Sequence, residues 1–163
     1  MSDDVRLSGP VSPDFDYAAY PFYLLSRAAG RYNAAMEAAL RPFGLDQARW
    51  RILIVLVQHD QLGTQDIARK VVYKLSTTTR VIQRLEGAGL VKTLQSSKDG
   101  RITNVLITEA GRALVDKTRD AANTVFKEAF EGVPAKDIDV MCAQLKNIDE
   151  RLRPDAEKNT QQL

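Results

Sequence analysis

GTQDIARKVVYKLSTTTRVIQRLEGAGLVKTLQSSKDGRITNVLIT, residues 63–108, is the stretch around which the rest of the chain arranges itself. Thr64 is suited to cap a helix, because its hydroxyl can accept an orphan backbone N–H. Ile67, Ala68 and Val71 then recur as the apolar stripe of a short helix. A break near Tyr73 leads into a second helix over 75–88. On that helix Leu75, Ile82, Leu85 and Gly89 fall at helical spacing on the inward face. Ser76, Arg80, Gln83, Arg84 and Gly87 fall on the opposite face, with Thr77 beside them. Hydroxyls and a helix N-terminus can meet phosphates, and Arg or Gln one and two turns later can reach base edges. A helix of this kind suits a DNA major groove.

Gly89 is placed to end the second helix. Residues 90–94 read as a strand and 102–107 as its return partner, joined by the turn-rich tip SSKDGR at 96–101. Helix, helix and β-hairpin in this order make a winged helix-turn-helix.

The same residues carry a resemblance. Ser76-Thr77-Thr78-Thr79-Arg80 is followed by Arg84-Leu85-Glu86 and Gly89-Leu90-Val91. Asp99-Gly100-Arg101 comes next at the hairpin tip, then Ile107-Thr108-Glu109-Ala110-Gly111-Arg112 at the entry to a further helix. Taken in order and at these spacings, the pieces resemble the MarR family of transcriptional regulators over residues 17–152. Two positions depart from the family pattern: Thr78 stands where an aliphatic residue is usual, and Val72 where glycine is common in the turn.

Bulk charge says little, since the 163 residues carry a formal net charge of only +2. Its distribution says more. Residues 64–101 hold eight Lys/Arg and three Asp/Glu, a net of +5, which leaves −3 on the remainder. A basic segment on a mildly acidic body is the footprint of a local phosphate-binding face. One cysteine and one histidine argue against an internal disulfide and against a Cys/His metal site, so no cofactor is expected. The longest apolar run is 52–57, too short to span a bilayer. The start, MSDDVRLSGPVSP, has acids and prolines where a signal peptide has basic and apolar residues. A cytoplasmic protein is expected, with no membrane partner.

The flanks read as long helices. Residues 1–16 are polar and proline-containing, a flexible arm. Pro21 suits the first turn of a helix. From there Phe22, Leu25, Ala29, Tyr32, Met36, Ala39 and Phe43 recur at alternating spacings of three and four. Pro42-Phe43-Gly44 breaks that helix, and Asp46 caps the next, over 47–59, with Trp50, Leu53, Ile54 and Val57 inward. His59 closes that helix as a solvated or capping residue, and residues 58–63 form a polar connection to the winged helix. Thr108 caps a helix to about 131 carrying Leu114, Thr118, Ala121, Val125 and Ala129. Gly132-Val133-Pro134 breaks it. A last helix over 135–152 carries the seam Ile138, Met141, Leu145, Ile148 and Leu152, stopped by Pro154.

The expected architecture is mainly α with a small β-hairpin wing, flanked by long N- and C-terminal helices. Its parts are an arm (1–16), an N-terminal dimerisation helix (17–45), the winged helix-turn-helix (46–108), C-terminal dimerisation helices (109–153) and a tail (154–163). The seams argue for a homodimer. The resemblance implies that these helices interleave with a second subunit. The dimer would then present two reading helices to half-sites of a pseudo-palindromic double-stranded operator, roughly 34–36 Å apart.

For the DNA-binding residues, Ser76, Thr77 and Thr79 are assigned to phosphate and sugar. Lys74 in the turn and Lys98 at the tip are assigned to phosphate. Arg80, Gln83 and Arg84 are candidates for the groove; a phosphate clamp or an internal salt bridge is the other reading of the two arginines. The resemblance implies that Arg101, steadied by Asp99, reaches into the minor groove.

The resemblance also implies release of DNA by a small molecule, often an aromatic acid. Tyr32, Trp50 and Arg31 would suit such a ligand, and plain core and surface roles are the other reading of the same residues, so no ligand residue is assigned. Cys142 reads as packing in the last helix rather than as an oxidant sensor. No nucleophile–His–acid set or glycine-rich phosphate loop argues for an enzyme. A winged helix used for protein–protein assembly is the alternative, and apolar anchors on the outer face of the second helix would mark it.

Overall fold

The structure, a computed structural model, describes residues 13, 15–95 and 103–153. A 3-10 turn at Tyr17–Ala19 leads into α1, Pro21–Leu40, with its proline in the first turn as expected. A second 3-10 turn, Arg41–Phe43, ends at Gly44, whose φ of 69° is the left-handed conformation that glycine tolerates. Helix α2, Gln47–His59, is capped twice. The Asp46 carboxylate accepts the Arg49 N–H at 2.7 Å, and the Glu37 carboxylate of α1 accepts the Gln47 N–H at 2.9 Å. The elements β1 (Gln61–Gly63), α3 (Thr64–Val71), α4 (Leu75–Gly87), β2 (Val91–Gln95) and β3 (Thr103–Ile107) follow, then α5 (Glu109–Ala129) and α6 (Ala135–Leu152).

The winged helix-turn-helix is present, with one correction to its sheet. Three antiparallel strands run in the order β1-β3-β2 rather than two. The third is Gln61–Gly63, which the sequence suggests is part of a polar connection. It pairs Gln61 with Leu106 and Gly63 with Asn104. The hairpin proper pairs Val91 with Ile107 and Gln95 with Thr103. Thr64 is a second correction. Gly63 holds the N-cap position of α3, and the Thr64 hydroxyl donates instead to the Thr103 carbonyl at 3.1 Å, joining the helix start to β3.

The described residues fall into two compact units that divide between Phe126 and Lys127, within α5. The first holds the core: Met36 and Leu40 of α1, Ile52, Leu53 and Leu56 of α2, Ile67 of α3, Leu85 of α4, and Val91 and Val105 of the sheet are all buried. Of the α1 stripe, Met36 is buried and Ala39 half-buried, whereas Phe22, Leu25 and Tyr32 are about two-fifths exposed in the single chain. In the second unit Ile138, Leu145 and Ile148 of the α6 seam are half-buried, and Met141 and Leu152 are exposed. Cys142, expected to pack, is exposed.

The start of α5 is joined to the end of α4. The Thr108 hydroxyl donates to the Gly89 carbonyl at 2.8 Å and accepts the Gly111 N–H at 3.1 Å. Gly111 is required by contact: a Cβ there would lie 2.2 Å from the Leu90 carbonyl oxygen. Arg112 pairs with Asp60 at the end of α2. The Thr108–Arg112 motif is therefore a clasp at which α2, α4 and α5 meet.

Candidate nucleic-acid interface

Helix α4 divides as its periodicity predicts. Val81, Ile82 and Leu85 are buried, while Ser76, Thr77, Thr79, Arg80, Gln83 and Arg84 are exposed. Leu75 and Gly89 are the exceptions. Gly89, expected on the inward face, lies beyond the last helical residue, Gly87, and is exposed. Leu75, also expected to face inward, is the first residue of the helix and is 47% exposed. Thr78 takes the place of an aliphatic residue at the base of the helix. It is fully buried, and its hydroxyl donates to the Lys74 carbonyl at 3.2 Å, so burial leaves no unpaired donor.

At the start of α4, Lys74 occupies the N-cap position and no side chain caps the helix. The first N–H groups are thus left for an outside acceptor, with Ser76 and Thr77 exposed beside them. Thr79 differs from these two, since its hydroxyl already donates to the Leu75 carbonyl at 2.9 Å. A phosphate contact from Thr79 has to break that bond. One and two turns on, Arg80, Gln83 and Arg84 have no ion-pair or hydrogen-bond partner among the described residues. An internal salt bridge for either arginine is therefore not formed there.

Exposed cations extend beyond α4. Lys70 on α3 and Lys92 on β2, to which the sequence assigned no contact, are also exposed. Arg69, by contrast, is tied to Asp66 one turn earlier on its own helix. Glu86 near the end of α4 accepts the backbone N–H of Thr93 on β2 at 2.8 Å, which fastens α4 to the wing. Lys98, Asp99 and Arg101 lie outside the described residues.

A second feature lies within the first unit. A cavity of about 410 Å³ is walled by Tyr32 and Met36 of α1, Trp50, Ile54 and Val57 of α2, and Val115, Asp116, Thr118, Arg119, Ala122, Asn123 and Phe126 of α5. The Trp50 indole N–H donates to the Thr118 hydroxyl at 3.0 Å, and that hydroxyl donates to the Val115 carbonyl at 2.7 Å. Tyr32 and Trp50 are where the sequence places them. The cation is not: Arg31 is absent from the wall, and Arg119, paired with Asp116, stands there. One helical face of α5 carries Val115, Arg119 and Ala122, a pattern that could not be assigned to a cavity without knowing what packs opposite.

The family model described as the MarR family matches residues 45–103. The HTH-type transcriptional repressor IacR of Pseudomonas putida is 36% identical over 124 residues, 76% of this chain and 74% of that protein. Among solved structures, a MarR-family transcriptional regulator from Silicibacter pomeroyi is similar with a TM-score of 0.76 at 28% identity, covering 85% of this chain and 93% of that one. CouR from Rhodococcus jostii RHA1, solved bound to p-coumaroyl-CoA, is similar with a TM-score of 0.74 at 25% identity, covering 82% of this chain and 94% of that one.

Proposed function

This chain belongs to the MarR family of DNA-binding transcriptional regulators, and from that premise we propose that it is a sequence-specific repressor acting as a homodimer. We further propose that a small aromatic ligand entering the α1–α2–α5 cavity releases it from its operator. The proteins it resembles are transcriptional regulators rather than enzymes.

The observation that carries the reading is the outer face of α4. Ser76, Thr77, Arg80, Gln83 and Arg84 stand exposed, and the two arginines and the glutamine are uncommitted to partners among the described residues. Side chains held by no partner within the fold are available to an outside one, and Arg and Gln match guanine and adenine edges through paired hydrogen bonds. Dimerisation is supported by apolar side chains left exposed on the single chain: Phe22 and Leu25 on α1, Met141 and Leu152 on α6. Ligand release is supported by the aromatic walls of the cavity and by Arg119, whose exposed pair with Asp116 would exchange for an anionic group of the ligand. No helix among the described residues is long and apolar enough to cross a membrane.

Fluorescence anisotropy tests the reading, with duplex DNA from upstream of the chain's own gene against a scrambled duplex over a salt series. Specific binding at two chains per half-site pair is expected. Trp50 is the chain's single tryptophan, so its emission reports occupancy of the cavity when aromatic acids are titrated. A second reading, protein–protein assembly, is favoured by the exposure of Val72 (84%) and Leu75 (47%) beside the polar face. Weak binding that ignores sequence and vanishes with salt selects that reading instead.

A further inference from the structure

Consecutive residues of α2 serve two places. Trp50 walls the cavity, whereas Arg51 reaches the turn between α3 and α4. Val72 sits in that turn with φ 57° and ψ 45°. A β-branched residue is poorly suited to the left-handed region, and a side chain 84% exposed gains little packing in return. The turn is closed from the α3 side by two bonds: Val72 N–H to the Arg69 carbonyl at 3.2 Å, and Tyr73 N–H to the Ala68 carbonyl at 3.0 Å.

Arg51 adds a hold from outside. Its Nη1 donates to the Val71 carbonyl at 3.4 Å, and its Cζ lies 5.5 Å from the centroid of the Tyr73 ring. That is within cation–π range. A flat guanidinium can stack on a ring and donate in its own plane together, which a lysine ammonium cannot. The two contacts bracket Val72 on either side, and Lys74, Ser76 and Thr77 follow directly.

We propose that Arg51 is a positioning residue for DNA binding: it holds the left-handed turn and so sets the direction in which α4 leaves it. The inference rests on the DNA-binding reading of α4. Arg51 contacts no base or phosphate in this scheme and acts through Val71 and Tyr73.

Two measurements on the full chain test it. Arg51→Lys keeps the charge and removes the fork, while Arg51→Gln removes both. Amide hydrogen exchange on the free protein reads the turn without DNA. Anisotropy uses the duplex that the wild-type protein selects from a random-sequence pool. In Arg51→Lys, exchange over 71–79 quickens while α5 is unchanged, and affinity falls about tenfold. Adding Val72→Gly, which relieves the left-handed conformation, recovers most of that affinity. In Arg51→Gln the salt slope stays at the wild-type value. Wild-type exchange over 71–79 in Arg51→Lys overturns the proposal. So does a slope lowered by about one in Arg51→Gln, which identifies a direct phosphate contact. Failure of the wild-type protein to select any duplex defeats the DNA-binding reading itself, and the exchange data then report separately on the Arg51 contact.

Discussion

The Glu86 carboxylate, near the end of α4, accepts two hydrogen bonds from Thr93 in the middle of β2: the backbone N–H at 2.8 Å and the hydroxyl at 2.5 Å. Thr93 is in turn paired with Val105 on β3. Helix α4 and the wing are thus joined through one charged acceptor, whose bonds are stronger than those of a neutral one. Glu86→Ala is expected to cost about 1 kcal/mol in urea unfolding. Its effect on DNA affinity should exceed that, because the wing loses its register on α4. Equal effects on stability and affinity would assign Glu86 to the fold alone.

Arg101 is expected to matter to DNA and not to folding. Arg101→Ala should weaken specific binding by about 1–3 kcal/mol, leaving the thermal melt and the oligomeric state unchanged. Lys74→Ala should instead lower the salt slope by about one across all sequences. Undiminished affinity in Arg101→Ala would remove the wing from the interface.

Gly111 has no room for a side chain. A Cβ would sit 2.2 Å from the Leu90 carbonyl oxygen and 2.9 Å from Cγ1 of Ile107. The first of these is backbone and cannot rotate away, so α5 has to shift from the α4 exit. Gly111→Ala should destabilise the protein by about 2–4 kcal/mol in urea titration. A cost under about 0.5 kcal/mol, the range of ordinary surface changes, would mean that the clasp yields freely.

Val72 offers the opposite change. Glycine adopts its φ of 57° without strain, and little packing is lost from a side chain 84% exposed. Relief of the strained conformation, of order 1–3 kcal/mol, is partly offset by the greater freedom of glycine in the unfolded chain. Val72→Gly is expected to gain about 1 kcal/mol, seen as a rise of roughly 2–4 °C in Tm. An unchanged or lower Tm would show that the turn is not strained.

Features whose cause lies within one or two turns of helix were legible in the sequence. Ile82 and Leu85 announce the buried face of α4, and Ser76, Arg80, Gln83 and Arg84 its outer face, because helical periodicity fixes both at once. The Asp46 cap, the turn at Gly89 with φ 71° and the Thr108 cap follow from equally local chemistry. The order of these signals was enough to identify the winged helix-turn-helix.

Tertiary structure alone decided what depends on distant partners. Three residues, Gln61–Gly63, are too few to show an alternation, and they become a strand only because β3 offers an unpaired edge. The Thr64 hydroxyl was available to cap its own helix and went to Thr103, 39 positions on. Arg119 rather than Arg31 stands in the cavity wall, and Trp50 finds its acceptor in Thr118, 68 positions away. Hydrophobic period and capping chemistry are properties of neighbours along the chain. Which polar group meets which across the fold depends on how helices and strands dock, and no spacing in the sequence encodes that.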